Sequence, residues 1–172
     1  MSATEDLMTE HALLGRIILV IEAYLAGESD SKCGLIVELI QMVKDFIEGF
    51  HEQMEELYIF PIMRAVAKFE KIIDLLIAEH IASSHITTAI ISLANTKKFP
   101  EMRVALAKFI KLYRLHSLRE DTIIFRKFRK LVGADEFTTI SKKMDEIEDE
   151  KFGPNAYDRM LEKILVISDQ LK

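Results

Sequence analysis

Apolar residues recur at steps of three or four through almost the whole chain, and helix-breaking residues are confined to the gaps between those stretches. That periodicity restricts the chain to amphipathic helices packed on one another. Only three Pro and six Gly occur in 172 residues, with no Trp, while Leu, Ile, Ala, Glu and Lys fill long uninterrupted runs. Ser2-Ala3-Thr4-Glu5 has the capping-box form, and Leu7, His11, Leu14, Ile18, Ile21 and Leu25 carry a first helix to about Ala26. After the polar turn Gly27 to Ser31, the sequence Ile36, Ile40, Val43, Ile47, His51, Glu55 and Ile59 marks a second, reaching or bending at Pro61. A third runs through Ile73, Leu76, His80, Thr87 and Ile91 to about Asn95, and a fourth from Pro100 through Phe109, Leu112, His116, Glu120 and Ile124 to near Gly133.

The expected fold is therefore all-α: an antiparallel up-down-up-down four-helix bundle over about residues 4–132. Two additional C-terminal helices over about 135–171, capped by Asp135 and Asn155 and separated by Gly153-Pro154, would pack across it. At 49% hydrophobic composition, residues 1–172 suit a single domain. The net charge of -5, with both signs interspersed, leaves no basic stripe for nucleic acid. No apolar run approaches the ~20 residues of a membrane span, the N-terminus is acidic, and Cys33 has no partner for a disulfide, so a cytoplasmic location is expected. Lys142 and Lys143, beside a run of acids ending at Glu150, read as a solvated face, and the oligomeric state is left open.

Two pairs repeat one spacing: His51 with Glu55, and His116 with Glu120. A four-residue step turns only about 40° around a helix, so each pair projects from one face, and that face is the apolar stripe. His11 and His80 lie in the stripes of the first and third helices, so each bundle helix sends one imidazole inward. Four imidazoles and two carboxylates in a helical core need compensation, because unpaired buried polar groups and charges are costly. Two metal ions, bridged by the Glu carboxylates and held by neutral His nitrogens, would supply it, and this donor set suits iron. Two six-coordinate irons offer about twelve positions. With an oxo or hydroxo bridge, positions remain open for a small molecule.

The blocks Leu7-Met8-Thr9-Glu10-His11, Phe50-His51-Glu52-Gln53-Met54-Glu55-Glu56 running to Phe60-Pro61, Ala78-Glu79-His80, and Tyr113 to Asp121 followed by Ile124-Phe125 occur in order, one per helix. Together they resemble the hemerythrin-like (HHE) cation-binding domains over roughly residues 5 to 160. The resemblance implies a non-haem di-iron protein that meets dioxygen, peroxide or nitric oxide, with His11, His51, Glu55, His80, His116 and Glu120 at the ligand positions. It departs from the oxygen carriers in that His85 follows His80 by five residues, not four, a step that turns it about 140° away. The family also uses a carboxylate five residues after the fourth-helix His, which is Asp121 here; ideal geometry selects Glu120, and a local distortion would reverse the choice. Glu52 is a solvated residue or an added ligand, and Tyr58 and Tyr113 are packing residues or donors to a bound oxygen species. A ferritin-like centre needs Glu-x-x-His on two helices, and only Glu48 with His51 fits.

Two functions of different class follow from that resemblance. One is a small-molecule metalloprotein of oxidative or nitrosative stress or of sensing, binding or reacting with dioxygen, peroxide or nitric oxide. The other is an iron- or oxygen-responsive interaction module without turnover, or an iron donor for repair of damaged iron centres.

Overall fold

The computed structural model describes residues 3–171, which form helices joined by short connections, with no strand among them. Helix α1 is Ala3–Ala26. Helix α2 spans 33–64, α3 is Glu70–Asn95, and α4 spans 99–131. Two further helices follow, α5 (Ala134–Phe152) and α6 (Ala156–Leu171). The helical limits thus fall within a few residues of those expected from periodicity, while Ser2 of the capping box lies outside the described residues.

Each helix buries the stripe that its spacing marks. The core joins Leu7, Leu14, Ile18 and Ile21 of α1 to Ile36, Ile40 and Ile47 of α2, Ile73 and Leu76 of α3, and Met102, Phe109 and Ile124 of α4. Helix α3 lies along α4 and α2, and both α5 and α6 pack on α1. Phe152, at the end of α5, closes over Phe46 and Phe50 with ring centroids 5.2 and 5.7 Å away. The connection after α1 is clamped by Arg103, which donates to the Asp30 carboxylate and the Leu25 carbonyl while lying over the Tyr24 ring.

Within segment 67–95, an 18-residue window of mean hydropathy 1.2 passes by length and composition as able to cross a membrane, one marginal exception to the expected absence of such a run. Its buried face nevertheless carries His80, Ser83 and Thr87 among the apolar residues, a polar set that faces protein here.

Helices α2 and α4 are not α-helical throughout. Val43–His51, Glu55–Ile59 and Glu120–Ile124 are π-helical, and the Glu52, Phe60 and Phe125 amides donate to carbonyls five residues back, those of Ile47, Glu55 and Glu120. Pro61, which has no amide proton for the Leu57 carbonyl, follows one π turn. Thr122, whose hydroxyl donates to the Leu118 carbonyl, sits inside another. Helices α1 and α3 carry no such widening.

Capping of the C-terminal helices differs in part from expectation. The residue preceding α5 is Gly133, and Asp135 lies inside the first turn, where its charge favours the positive helix end without a side-chain cap. Asn155 does precede α6, with φ of 58°, and its carbonyl accepts the Arg159 amide. The acidic face of α5 is also less uniformly solvated than expected, since burial pushes Glu148 up to about 7.

Gly15 stands in the middle of α1, where glycine costs about 1 kcal/mol relative to alanine. An added Cβ there would meet nothing within 4 Å. Gly15→Ala is therefore expected to stabilise the protein by about 0.4–1 kcal/mol. A urea titration showing a higher midpoint at unchanged slope would bear this out, and a lower midpoint would refute it.

Candidate metal centre

Periodicity places one imidazole from each of α1 to α4 inward, and packing brings them into two pairs. The rings of His11 and His51 lie 4.7 Å apart and those of His80 and His116 4.8 Å apart. Between the pairs stand the carboxylates of Glu55 and Glu120, both with no exposed surface. Glu55 divides its oxygens, Oε1 lying 3.6 Å from His51 Nε2 and Oε2 3.5 Å from His80 Nε2. Glu120 Oε2 lies 3.3 Å from His11 Nε2 and 3.1 Å from His116 Nε2, while its Oε1 is 3.9 Å from His80 Nε2. All six residues singled out from the sequence therefore meet. They form two four-residue groups able to hold a metal ion: His11, His51, Glu55 and Glu120, and Glu55, His80, His116 and Glu120.

The donor atoms fit such an ion on a test independent of motif. Neither oxygen of Glu55 or Glu120 has a hydrogen-bond partner, and His51 Nε2 has none either. Buried carboxylates left this way are among the most expensive groups a core can contain. The 3.1 Å between His80 Nε2 and His116 Nε2 is also close to the roughly 3 Å that separates neighbouring ligands at right angles around one ion with bonds near 2.1 Å.

Each imidazole is aimed by a carboxylate on its other nitrogen. Glu10 accepts from His51 Nδ1 at 2.6 Å, Glu56 from His80 Nδ1 at 2.7 Å, Glu79 from His116 Nδ1 at 3.0 Å, and Asp121 from His11 Nδ1 at 2.8 Å. A carboxylate can only accept, so the Nδ1 proton points outward and Nε2 is left facing the centre. These contacts close a ring, in which α1 supports α2, α2 supports α3, α3 supports α4 and α4 supports α1. Every supporting acid is adjacent in sequence to an inward His or Glu of its own helix, a signal that could have identified Glu10, Glu56 and Glu79. Arg119 fixes Glu79 in turn, at 2.6 Å.

The aromatic walls repeat the same two-fold pattern. Phe60 and Phe125 each stand five residues after an inward Glu and close its π turn. Phe60 stacks on His80 at 5.5 Å and Phe125 on His11 at 5.6 Å.

The residues left open by the sequence now have places. His85 is exposed on α3, away from both groups. Asp121 supports His11 and Glu120 occupies the centre, because the π turn begins at Glu120 and so distorts the helix only beyond it. Glu52 is not solvated: it is buried, and its Oε1 accepts from Tyr113 Oη at 3.0 Å and Ser83 Oγ at 3.3 Å. The Tyr113 hydroxyl is thus committed to Glu52, and Tyr58 is half-buried against the core. Glu48 lies off the centre, accepting from Thr87 Oγ1 at 2.6 Å and paired with Lys44, so it is part of a contact between α2 and α3.

Without an ion, the six groups compensate one another. Burial pulls the imidazoles down, but the facing carboxylates outweigh it, raising His80 to about 10 and His116 to about 9. His11 is raised and His51 well above its ordinary range for the same reason. Burial pushes Glu55 and Glu120 upward, with the charge of Glu120 adding to the effect on Glu55, yet the surrounding imidazoles hold both below the usual carboxylate range. Burial raises Glu52 and Tyr113.

Curated relatives include an uncharacterized protein of Mycobacterium bovis and uncharacterized proteins of two strains of Mycobacterium tuberculosis. Each is 27% identical over 179 residues, an overlap that covers 99% of this chain and 70% of theirs. No solved structure matches significantly. The hemerythrin HHE cation-binding domain model matches residues 2–154, and the chain belongs to that family.

Proposed function

We propose that this is a non-haem di-iron protein that binds or reacts with dioxygen, peroxide or nitric oxide, in response to oxidative or nitrosative stress or in sensing. The observation that carries the reading is the set of four carboxylate oxygens on Glu55 and Glu120, buried without hydrogen-bond partners and facing only the imidazoles of two pairs. His11 and His51 would hold one ion, His80 and His116 the other, and both glutamates would serve the two together. An iron pair held this way supplies redox chemistry and open coordination positions. The short connections 27–32, 65–69 and 96–98 support reading α1 to α4 as an antiparallel four-helix bundle around the pair.

The chain's own contribution is positional. Glu10, Glu56, Glu79 and Asp121 keep the four Nδ1 protons turned outward, and the stacked rings of Phe60 and Phe125 shield His80 and His11 from water. Tyr113, raised by burial and bonded to Glu52, stays a protonated donor.

Metal analysis of the purified protein tests the reading directly, with two irons per chain expected and an absorbing near-ultraviolet spectrum that changes on adding azide. Replacing Glu55 or Glu120 with Ala is expected to abolish stable binding of the second iron, and retention of both in either variant would contradict the shared-ligand role.

Acidity separates the loaded and metal-free states. An imidazole raised on folding contributes stability that is fully present below its ordinary 6.5 and disappears as pH climbs through about 9 to 10. The lowered Glu55 and Glu120 contribute stability that is present above their ordinary 4.5 and lost as pH falls through their folded values. The metal-free protein should therefore melt at its highest temperature between those limits and lose stability from pH 6.5 to 9. Iron binds neutral imidazoles, so the loaded protein should gain on the metal-free one over that interval and release its metal by pH 5. Melting curves with and without chelator check this, and a metal-free Tm that is flat from pH 6.5 to 9, or iron retained at pH 5, would count against it.

A further inference from the structure

Helix α1 shows water a second apolar stripe besides the one it buries. Met8, Ala12, Gly15, Leu19 and Ala26 follow one another along its outer side at steps of four, three, four and seven, with Ala23 among them. This is the 3.5-residue spacing along which two helices pack. A surface helix ordinarily covers that side with charge, yet here Arg16 and Glu22 stand only at the edges of the stripe. Leu19 is 62% exposed and Met8 41%. Beside them, across a shallow solvent-open groove, stands Leu118 of α4, 56% exposed.

The charges flanking the stripe have an order that selects one occupant. Helix α4 runs against the direction of α1, since His11 meets Asp121, Glu22 meets Arg114 and Leu25 meets Arg103. Leu118 therefore falls level with the midpoint between Met8 and Leu19. Outward from Leu118, one arm of the face carries Asp121 and then Arg129, which is paired with Glu5, and the other carries Arg114 and then Glu22. The signs run negative then positive on the first arm, and positive then negative on the second. All four side chains stay open to water, from 31% for Asp121 to 62% for Arg129. A two-fold axis through the midpoint and across α1 lays each arm on the opposite arm of a second copy. Asp121 then meets the partner's Arg114, Arg129 meets the partner's Glu22, and Met8 meets the partner's Leu19. An axis along α1 would instead set Asp121 against Asp121 and Arg114 against Arg114.

We propose that this face of α1 and α4 is the interface of a two-fold dimer of the chain, with α1 packed antiparallel on the α1 of a second copy. A second copy matches the face in both its apolar spacing and its order of charge. The dimer also touches the metal centre at one remove. The partner's Arg114 closes over Asp121, the acid that turns His11 toward the centre.

Sedimentation of the purified full chain tests this. Twice the 19.8 kDa of one chain is expected at tens of micromolar, and a monomer, alone or carrying any other partner, would overturn the proposal. Leu19→Glu, at an exposed position, is expected to raise the dissociation constant at least about tenfold with circular dichroism unchanged. A folded variant that dimerises as well as wild type would overturn it. Register is read by disulfide formation in a Cys33→Ser background, which needs Cα atoms within about 7 Å. Met8→Cys chains should link to Leu19→Cys chains, whereas Met8→Cys alone should not link to itself, its two copies lying about 16 Å apart along the helices. Self-linking of Met8→Cys, or no mixed product, would overturn the antiparallel pairing, and this readout decides the matter should Leu19→Glu fold poorly. None of these readouts involves iron, so failure of the metal centre would leave the interface standing.

Discussion

Two carboxylates that no hydrogen bond reaches dominate the design of this molecule. Glu55 and Glu120 sit where water cannot solvate them, and a single uncompensated charge in such a place weighs heavily against the small net stability of a domain. Apolar packing around them cannot answer that cost. It is met by positive charge, either from the four facing imidazoles or from metal ions. In the first case the imidazoles must be held protonated, as their upward shifts show, and in the second they must be neutral. With metal bound as proposed, the same six residues would serve a second charge state, and the apolar core of α1 to α4 would keep them together in either.

Holding an imidazole by one nitrogen leaves the other free to turn, and the ring of outer acids removes that freedom. Because the acid that fixes each His belongs to a neighbouring helix, the orientation of an imidazole reports the placement of two helices at once. Glu10 and His11, adjacent on α1, point to different histidine sites: Glu10 to His51 of α2, and His11 into the centre, fixed from α4 by Asp121. A rotation of α1 that misplaced one would misplace the other. The ring thus ties the mutual rotation of all four helices to the position of the nitrogens they offer, which is a stronger constraint than apolar packing alone imposes.

The sequence made the inner residues legible because their position depends on one helix only. A stripe and a four-residue step are enough to place His51 with Glu55, or His116 with Glu120, on a buried face. Glu10, Glu56 and Glu79 escaped for the opposite reason: each sits at the edge of its stripe and acquires its role only through the next helix, whose rotation no single-helix pattern encodes. Glu52 looked solvated by the same local arithmetic, yet Tyr113 and Ser83 come from α4 and α3 to bury it. The choice between Glu120 and Asp121 turned on where a π turn begins, and a propensity pattern does not fix that register. Helix limits were read closely, while the cap of α5 was displaced from Asp135 to Gly133 because a backbone without a side-chain cap served.

The π turns explain why the two glutamate helices differ from the other two. In an α-helix the residue four positions after Glu55 would lie above it; widening the turn brings the fifth, Phe60, to that place, and Phe125 stands likewise above Glu120. The aromatic rings then stack on His80 and His11, imidazoles of other helices, and close the centre on two sides. An α-helical register would place Ile59 and Ile124 there, side chains that cannot stack on an imidazole. Two of the three π stretches thus fall where an inward carboxylate meets an aromatic ring, while the third, Val43–His51, leads up to the inward His51. Helices α1 and α3, which contribute imidazoles but no central carboxylate, remain regular.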